Sequence, residues 1–173
     1  EIYSKIIFDK NKMPSFLSYE SLKDRLIVLE GWSKTFCMTG WRLGWSTWPT
    51  KLFDYANKLC VNDHSCPSSI SQYAGLEAIK GPQNEVRKIV IEFEKRKKYV
   101  FKNINKIKNL SCFNPGGAFY AFPNVSNTGY NGKKYCDIAL FEKGVALVPG
   151  NSFGDNVDEF IRISYANSLE NLE

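Results

Sequence analysis

A chain of 173 residues with 43% hydrophobic and 14% aromatic side chains can bury a core, while no apolar run approaches the roughly 18 residues that span a bilayer. The net charge is +5, with much of the excess between Arg87 and Lys108. Five cysteines, an odd number without a Cys-x-x-Cys pair, point to buried thiols in a reducing, cytoplasmic setting rather than a disulfide scaffold. The single histidine, His64, has Cys60 and Cys66 nearby but no second ligand pair, so no metal site is expected. No basic-then-apolar leader is present, and an opening of Glu-Ile-Tyr rather than Met points to a fragment or a processed product.

In chain order, Leu26-Ile27-Val28-Leu29 reads as a buried parallel strand ending at Glu30-Gly31, and Trp41 to Trp48 as a second strand stopped by Pro49. Thr50 is placed to cap a helix through about Val61, and a further helix is expected from near Pro67 to Ile79. Gly81-Pro82 is the boundary candidate. Beyond it, Val86, Ile89, Val90, Phe93, Val100, Ile104 and Ile107 recur at helical spacing. The lysines and arginines between them then form the wet side of a long amphipathic helix, not a nucleic-acid surface. Strands are expected at Leu110–Phe113 and Ala118–Phe122 around a Pro115-Gly116-Gly117 turn, then a helix from Tyr135 to Lys143. Short strands at Val145–Val148 and Phe160–Ser164 follow, with Ser168 as an N-cap. The second half is thus an α+β unit with a small sheet.

One stretch carries chemistry. In Gly31-Trp32-Ser33-Lys34-Thr35-Phe36-Cys37-Met38-Thr39-Gly40-Trp41-Arg42-Leu43-Gly44 a lysine stands among aromatic and apolar residues, with an arginine eight positions on in a glycine-rich run. Apolar walls disfavour a charged amine, and the free amine is a carbonyl nucleophile, so imine formation is the chemistry indicated. An arginine fork among glycines suits a neighbouring phosphate or carboxylate. Amine plus anion clamp suggests pyridoxal phosphate.

The segment resembles the cofactor-lysine signature of class I, aspartate-aminotransferase-like, pyridoxal-phosphate enzymes of fold type I, carried here by Ser33, Lys34, Gly40, Arg42 and Gly44. Further matches keep the family's order: Glu1-Ile2-Tyr3, Gln72-Tyr73-Ala74, Pro115 to Tyr120, Val148-Pro149-Gly150, and Phe160 to Ser164. The resemblance implies an α/β fold in which residues 1–82 end the large cofactor-binding domain and its sheet, and residues 83–173 form the smaller α+β C-terminal domain.

It also implies roles. Lys34 would be the cofactor lysine and the general base, against the alternative of a lysine snorkelling past Trp32 and Trp41 to water. Arg42 and Ser33 would bind the cofactor phosphate, against a surface ion pair and a backbone-bonded loop hydroxyl. Tyr3 would hydrogen-bond the cofactor's O3′, with a core or rim tyrosine as the alternative. Arg162, in an otherwise apolar strand, would fork onto the substrate α-carboxylate, against an ion pair with a residue such as Asp158. Phe119, Tyr120 and the four tryptophans read as packing. The aspartate that partners the pyridine nitrogen would lie just before Glu1, so little activity is expected from these residues alone. The implied reaction moves an amino group between an L-amino acid, possibly aspartate-like, and a 2-oxo acid, in a homodimer without nucleic-acid or membrane partners. A lyase or decarboxylase on the same scaffold and a non-catalytic anion-binding module are the competing readings.

Overall fold

The computed structural model describes residues 1–9 and 12–173, and the chain divides into two compact units, Glu1–Lys88 and Ile89–Glu173. In the first unit β1 (Val28–Gly31) pairs with β2 (Gly44–Thr47), followed by α1 (Phe53–His64) and α2 (Ser69–Lys80). A long helix, α3 (Asn84–Ile104), crosses the division. The second unit contains β3 (Tyr120–Ala121), α4 (Gly132–Lys143), β4 (Val148–Pro149), β5 (Ile161–Ser164) and α5 (Leu169–Leu172).

The expected parallel strand is antiparallel within this chain: Val28 opposes Thr47 and Gly31 opposes Gly44. The reason lies in the connection. Parallel neighbours need a crossover, usually a helix, whereas residues 32–43 hold only turns and one 3-10 turn and bring the chain straight back. Thr50 is not the helix cap either, because it opens a 3-10 turn (Thr50–Leu52) that leads into α1. Ile6, Phe8, Val28, Met38, Leu43 and Ala56 are the buried apolar residues of this unit. Trp41 and Trp45, expected as wall and core, are both more than 40% exposed.

In the second unit the three-stranded sheet runs β3-β5-β4, with both pairs antiparallel. Leu110–Phe113 is not a strand; only Ser111 makes a bridge, to Asn124, whose N–H reaches Ser111 O at 2.7 Å. Val100 and Ile104 of α3 pack with Ala121 and Tyr165, and Val125, Cys136 and Ile161 form a second cluster. The exposed side of α3 carries ion pairs one turn apart, Lys88–Glu85 at 2.7 Å, Arg96–Glu92 at 3.0 Å and Lys98–Glu94 at 2.8 Å. Lys97 departs from the expected wet face. It lies four residues after Phe93 and three before Val100, on the inward stripe, and is 2% exposed.

Three helix ends are capped locally, the first of them by the serine expected from the sequence. Ser168 Oγ accepts from Asn171 N at 3.2 Å, as an N-cap should. Asn131 Oδ1 does the same for Lys134 N at 2.9 Å, and Gly144, with φ 68°, donates to Leu140 O at the other end of α4. That helix starts three residues earlier than expected because Gly132 slides beneath the chain: a Cβ there would sit 2.1 Å from Phe160 O.

Candidate active site

The loop 32–43 is closed at its base. Gly31 opposes Gly44, and Trp32 N donates to Leu43 O at 3.2 Å, one step beyond the strands. Lys34 follows Trp32 by two residues and Arg42 precedes Leu43 directly, so chain geometry limits their Cα separation to at most about 16 Å. The loop closure thus keeps the two residues in one neighbourhood.

The loop is also pinned to α2. Trp32 Nε1 donates to Gly75 O at 2.9 Å. A Cβ at Gly75 would stand 2.2 Å from Leu43 Cδ2 and 3.2 Å from Trp32 Cε2, so the absent side chain is what lets both loop ends approach the helix. Inside the loop, Phe36 N reaches Trp32 O at 3.1 Å and Cys37 N reaches Lys34 O at 3.3 Å, forming the tight turn that carries Ser33 and Lys34.

Lys34 and Ser33 are half-buried. Among the described residues neither the Lys34 amine nor the Ser33 hydroxyl has a hydrogen-bond or ionic partner. Thr35, next in the chain, is 3% exposed and its Oγ1 is likewise unsatisfied. A buried orphan hydroxyl is rare enough in folded proteins to mark a place where another group belongs.

Arg42 has φ 51° and ψ 50°, the left-handed region that costs a non-glycine residue energy and is over-represented at functional sites. Its Nη1 donates to Thr39 O at 2.9 Å, and among the described residues no carboxylate pairs with it. With Gly40, Trp41, Ser68 and Ser71 it lines an open cleft of ≈ 640 Å³; Lys34 and Ser33 are not part of that lining.

Tyr3 sits on the turn Ile2–Lys5, which packs beside β1. The Glu1 backbone nitrogen donates to Leu29 O, and Ile2 Cδ1 would be 3.0 Å from a Cβ at Gly31. Two residues on, Lys5 Nζ lies 5.3 Å from the centre of the Phe36 ring, tying this turn to the lysine loop. Lys5, Phe36 and Gly75 were not singled out by the sequence, where nothing sets an isolated lysine or a helix-interior glycine apart.

In the second unit Arg162 lies on β5 opposite Val148. Its guanidinium carbon is 4.4 Å from the Tyr120 ring centre and 4.5 Å from that of Phe153. Among the described residues it has no ion pair, and Asp158 is not its partner. Tyr165 OH, fully buried beside this sheet, donates to Ala118 O at 3.3 Å, and burial raises its pKa further than the nearby Cys112 does.

Among the described residues, the glycine-closed loop of the first unit thus carries a lysine and an arginine without an anionic partner, and the small α+β unit carries a strand arginine without one. The family described as aminotransferase class I and II matches residues 1–173. The chain belongs to that family. It is 37% identical to an aspartate aminotransferase of Pyrococcus abyssi over 178 residues, and 34% identical to aromatic-amino-acid aminotransferase 2 of Thermococcus litoralis over 175 residues. Each match takes in 100% of this chain and 45% of the relative. The chain thus spans a little under half the length of these relatives. Among solved structures, an aromatic aminotransferase from Pyrococcus horikoshii OT3 superposes with a TM-score of 0.94 at 36% identity, over 99% of this chain and 46% of the other. The aspartate aminotransferase from Rhizobium meliloti gives 0.91 at 33% identity, over 99% and 45%.

Proposed function

We propose that this chain is the C-terminal portion of a pyridoxal-phosphate-dependent aminotransferase that moves an amino group from an L-amino acid, with aspartate-like donors favoured, to a 2-oxo acid. The complete enzyme is a cytoplasmic homodimer in this reading, with residues 1–82 ending its large domain and 83–173 forming the small one, joined through α3. The observation that carries it is the loop 32–43, which holds a lysine amine and an arginine fork, both without an anionic partner among the described residues, between two mutually paired glycines.

The donors on this loop fit the cofactor. A phosphate-bearing aldehyde needs an amine for its carbonyl and a fork plus hydroxyls for its dianion, and Lys34, Arg42 and Ser33 are those groups. The unsatisfied Thr35 hydroxyl adjoining Lys34 is a further polar group with bonding capacity to spare. When bound, pyridoxal phosphate supplies an aldehyde and a ring that withdraws electrons from the substrate's Cα.

The chain's own residues do the rest. Arg42 and Ser33 bind the phosphate and so fix where the aldehyde lies. Lys34 Nζ would hold the group covalently and, as a free amine, would carry the proton between the substrate's Cα and C4′. Tyr3 hydrogen-bonds O3′. Arg162 receives the α-carboxylate in its fork.

The test is product analysis on the complete enzyme with L-aspartate and 2-oxoglutarate. Oxaloacetate and glutamate in equal amounts are expected. Release of ammonia, or loss of carbon dioxide without glutamate, would instead identify a lyase or decarboxylase on the same scaffold.

A further inference from the structure

We infer that Tyr120 and Phe153 are positioning residues that hold Arg162 as an aromatic sandwich, presenting only the edge of its guanidinium to a substrate carboxylate; this rests on the aminotransferase reading above. The two ring centres lie 4.4 Å and 4.5 Å from the Arg162 guanidinium carbon, well inside cation–π range. With two rings packed against it, the guanidinium keeps the N–H groups in its own plane as outlets for hydrogen bonding. Among the described residues none of them meets an acidic side chain. A planar fork with its edge free is the shape that takes a carboxylate in two parallel bonds.

The fold builds this sandwich from two separate directions. On the sheet, Tyr120 opposes Ser164, so it is the diagonal neighbour of Arg162 on the same face, within reach for long side chains. Phe153 arrives from outside the sheet, at the end of the 3-10 turn Gly150–Phe153. That turn is pressed onto the chain before β5: Gly150 N donates to Phe160 O at 2.7 Å, and a Cβ on Gly150 would lie 2.0 Å from Val157 O. Behind it, Phe153 meets Phe122 edge-on at 6.0 Å and 83°, and Phe122 stacks on Phe160 at 5.1 Å and 3°. The aromatic buttress fixes Phe153, and Phe153 with Tyr120 fixes the arginine. An unclamped arginine would sample many rotamers and lose that freedom at each binding event, so the clamp moves the ordering cost from binding to folding.

The experiment uses the complete holoenzyme with Phe153→Leu and, independently, Tyr120→Leu, beside Phe153→Tyr and Arg162→Lys. Readouts are KM and kcat for L-aspartate, and dissociation constants for propanoate and its uncharged counterpart propanamide, followed through the cofactor's absorbance. Either leucine variant is expected to raise KM and the propanoate constant about tenfold, with kcat and the propanamide constant within about twofold of wild type. Phe153→Tyr is expected to restore both. Leucine variants that leave propanoate binding unchanged, while Arg162→Lys abolishes it, would overturn the clamp and keep the aminotransferase reading. Equal losses for propanoate and propanamide would overturn it too, marking the rings as packing alone. A wild-type enzyme that neither turns over L-aspartate nor binds propanoate would overturn the functional reading and the clamp with it.

Discussion

The indole N–H of Trp32 bonds to the carbonyl of Gly75 across 2.9 Å, joining the first residue after β1 to the middle of α2. Two residues further along the chain stands Lys34, so α2 helps to set where its amine lies. Trp32→Phe removes this bond and keeps most of the ring. It is expected to lower the unfolding free energy by about 1 kcal/mol, read from denaturant unfolding. Gly75→Leu should cost about 1–3 kcal/mol, since its first side-chain atom already meets Leu43.

Arg42→Gly separates stability from binding. The left-handed backbone at φ 51° suits glycine, so the variant is expected to unfold no earlier than wild type and up to about 1 kcal/mol later. Under the proposed role of Arg42 as phosphate ligand, cofactor affinity should fall in the same protein. Parallel melting and binding titrations check the opposite signs.

Glycine substitutions should sort by what lies overhead. A Cβ at Gly132 or Gly150 would meet backbone oxygens at 2.1 Å and 2.0 Å, whereas one at Gly116 has nothing within 4 Å. Gly132→Ala and Gly150→Ala are expected to destabilise by about 1–3 kcal/mol. Gly116→Ala should be neutral or slightly stabilising. Chemical denaturation of the three variants side by side gives the order.

The thiols offer a pH test. Burial pushes Cys112 above the ordinary 9.0, partly offset by a hydrogen bond from the Phe122 backbone; burial and then the Asp137 charge push Cys136 up as well. Cys37, Cys60 and Cys66 are exposed. Alkylation with iodoacetamide at pH 8, followed by mass spectrometry, should therefore label those three first. The sign for stability follows: the unfolded chain gives up these protons from pH 9 upward while the folded chain still holds them. Stability is retained below pH 9 and falls above it. Constant stability up to pH 11 would contradict the assignment.

Much of this was legible in the sequence because it is periodic or local. The apolar stripe of α3, the Ser168 cap and the spacing of Lys34 and Arg42 are each readable over a few turns of chain. The direction of β1 was not, since a four-residue apolar run looks the same beside either kind of neighbour, and pairing with β2 is decided by the loop between them. Nor was the burial of Lys97, because charge suggested the wet face while its position relative to Phe93 and Val100 put it inside. The sandwich on Arg162 is invisible for a third reason. Phe153 lies in a short turn without periodicity, and it reaches the arginine only because Gly150 lets that turn press against Val157 and Phe160.

The most direct measurement is borohydride reduction of the complete protein incubated with pyridoxal phosphate, followed by digestion and peptide mass analysis. A phosphopyridoxyl group on Lys34, diminished in Arg42→Ala, is the expected result. An unmodified Lys34 with the label on other lysines, or labelling indifferent to Arg42, would contradict the assignment of this loop as the cofactor site.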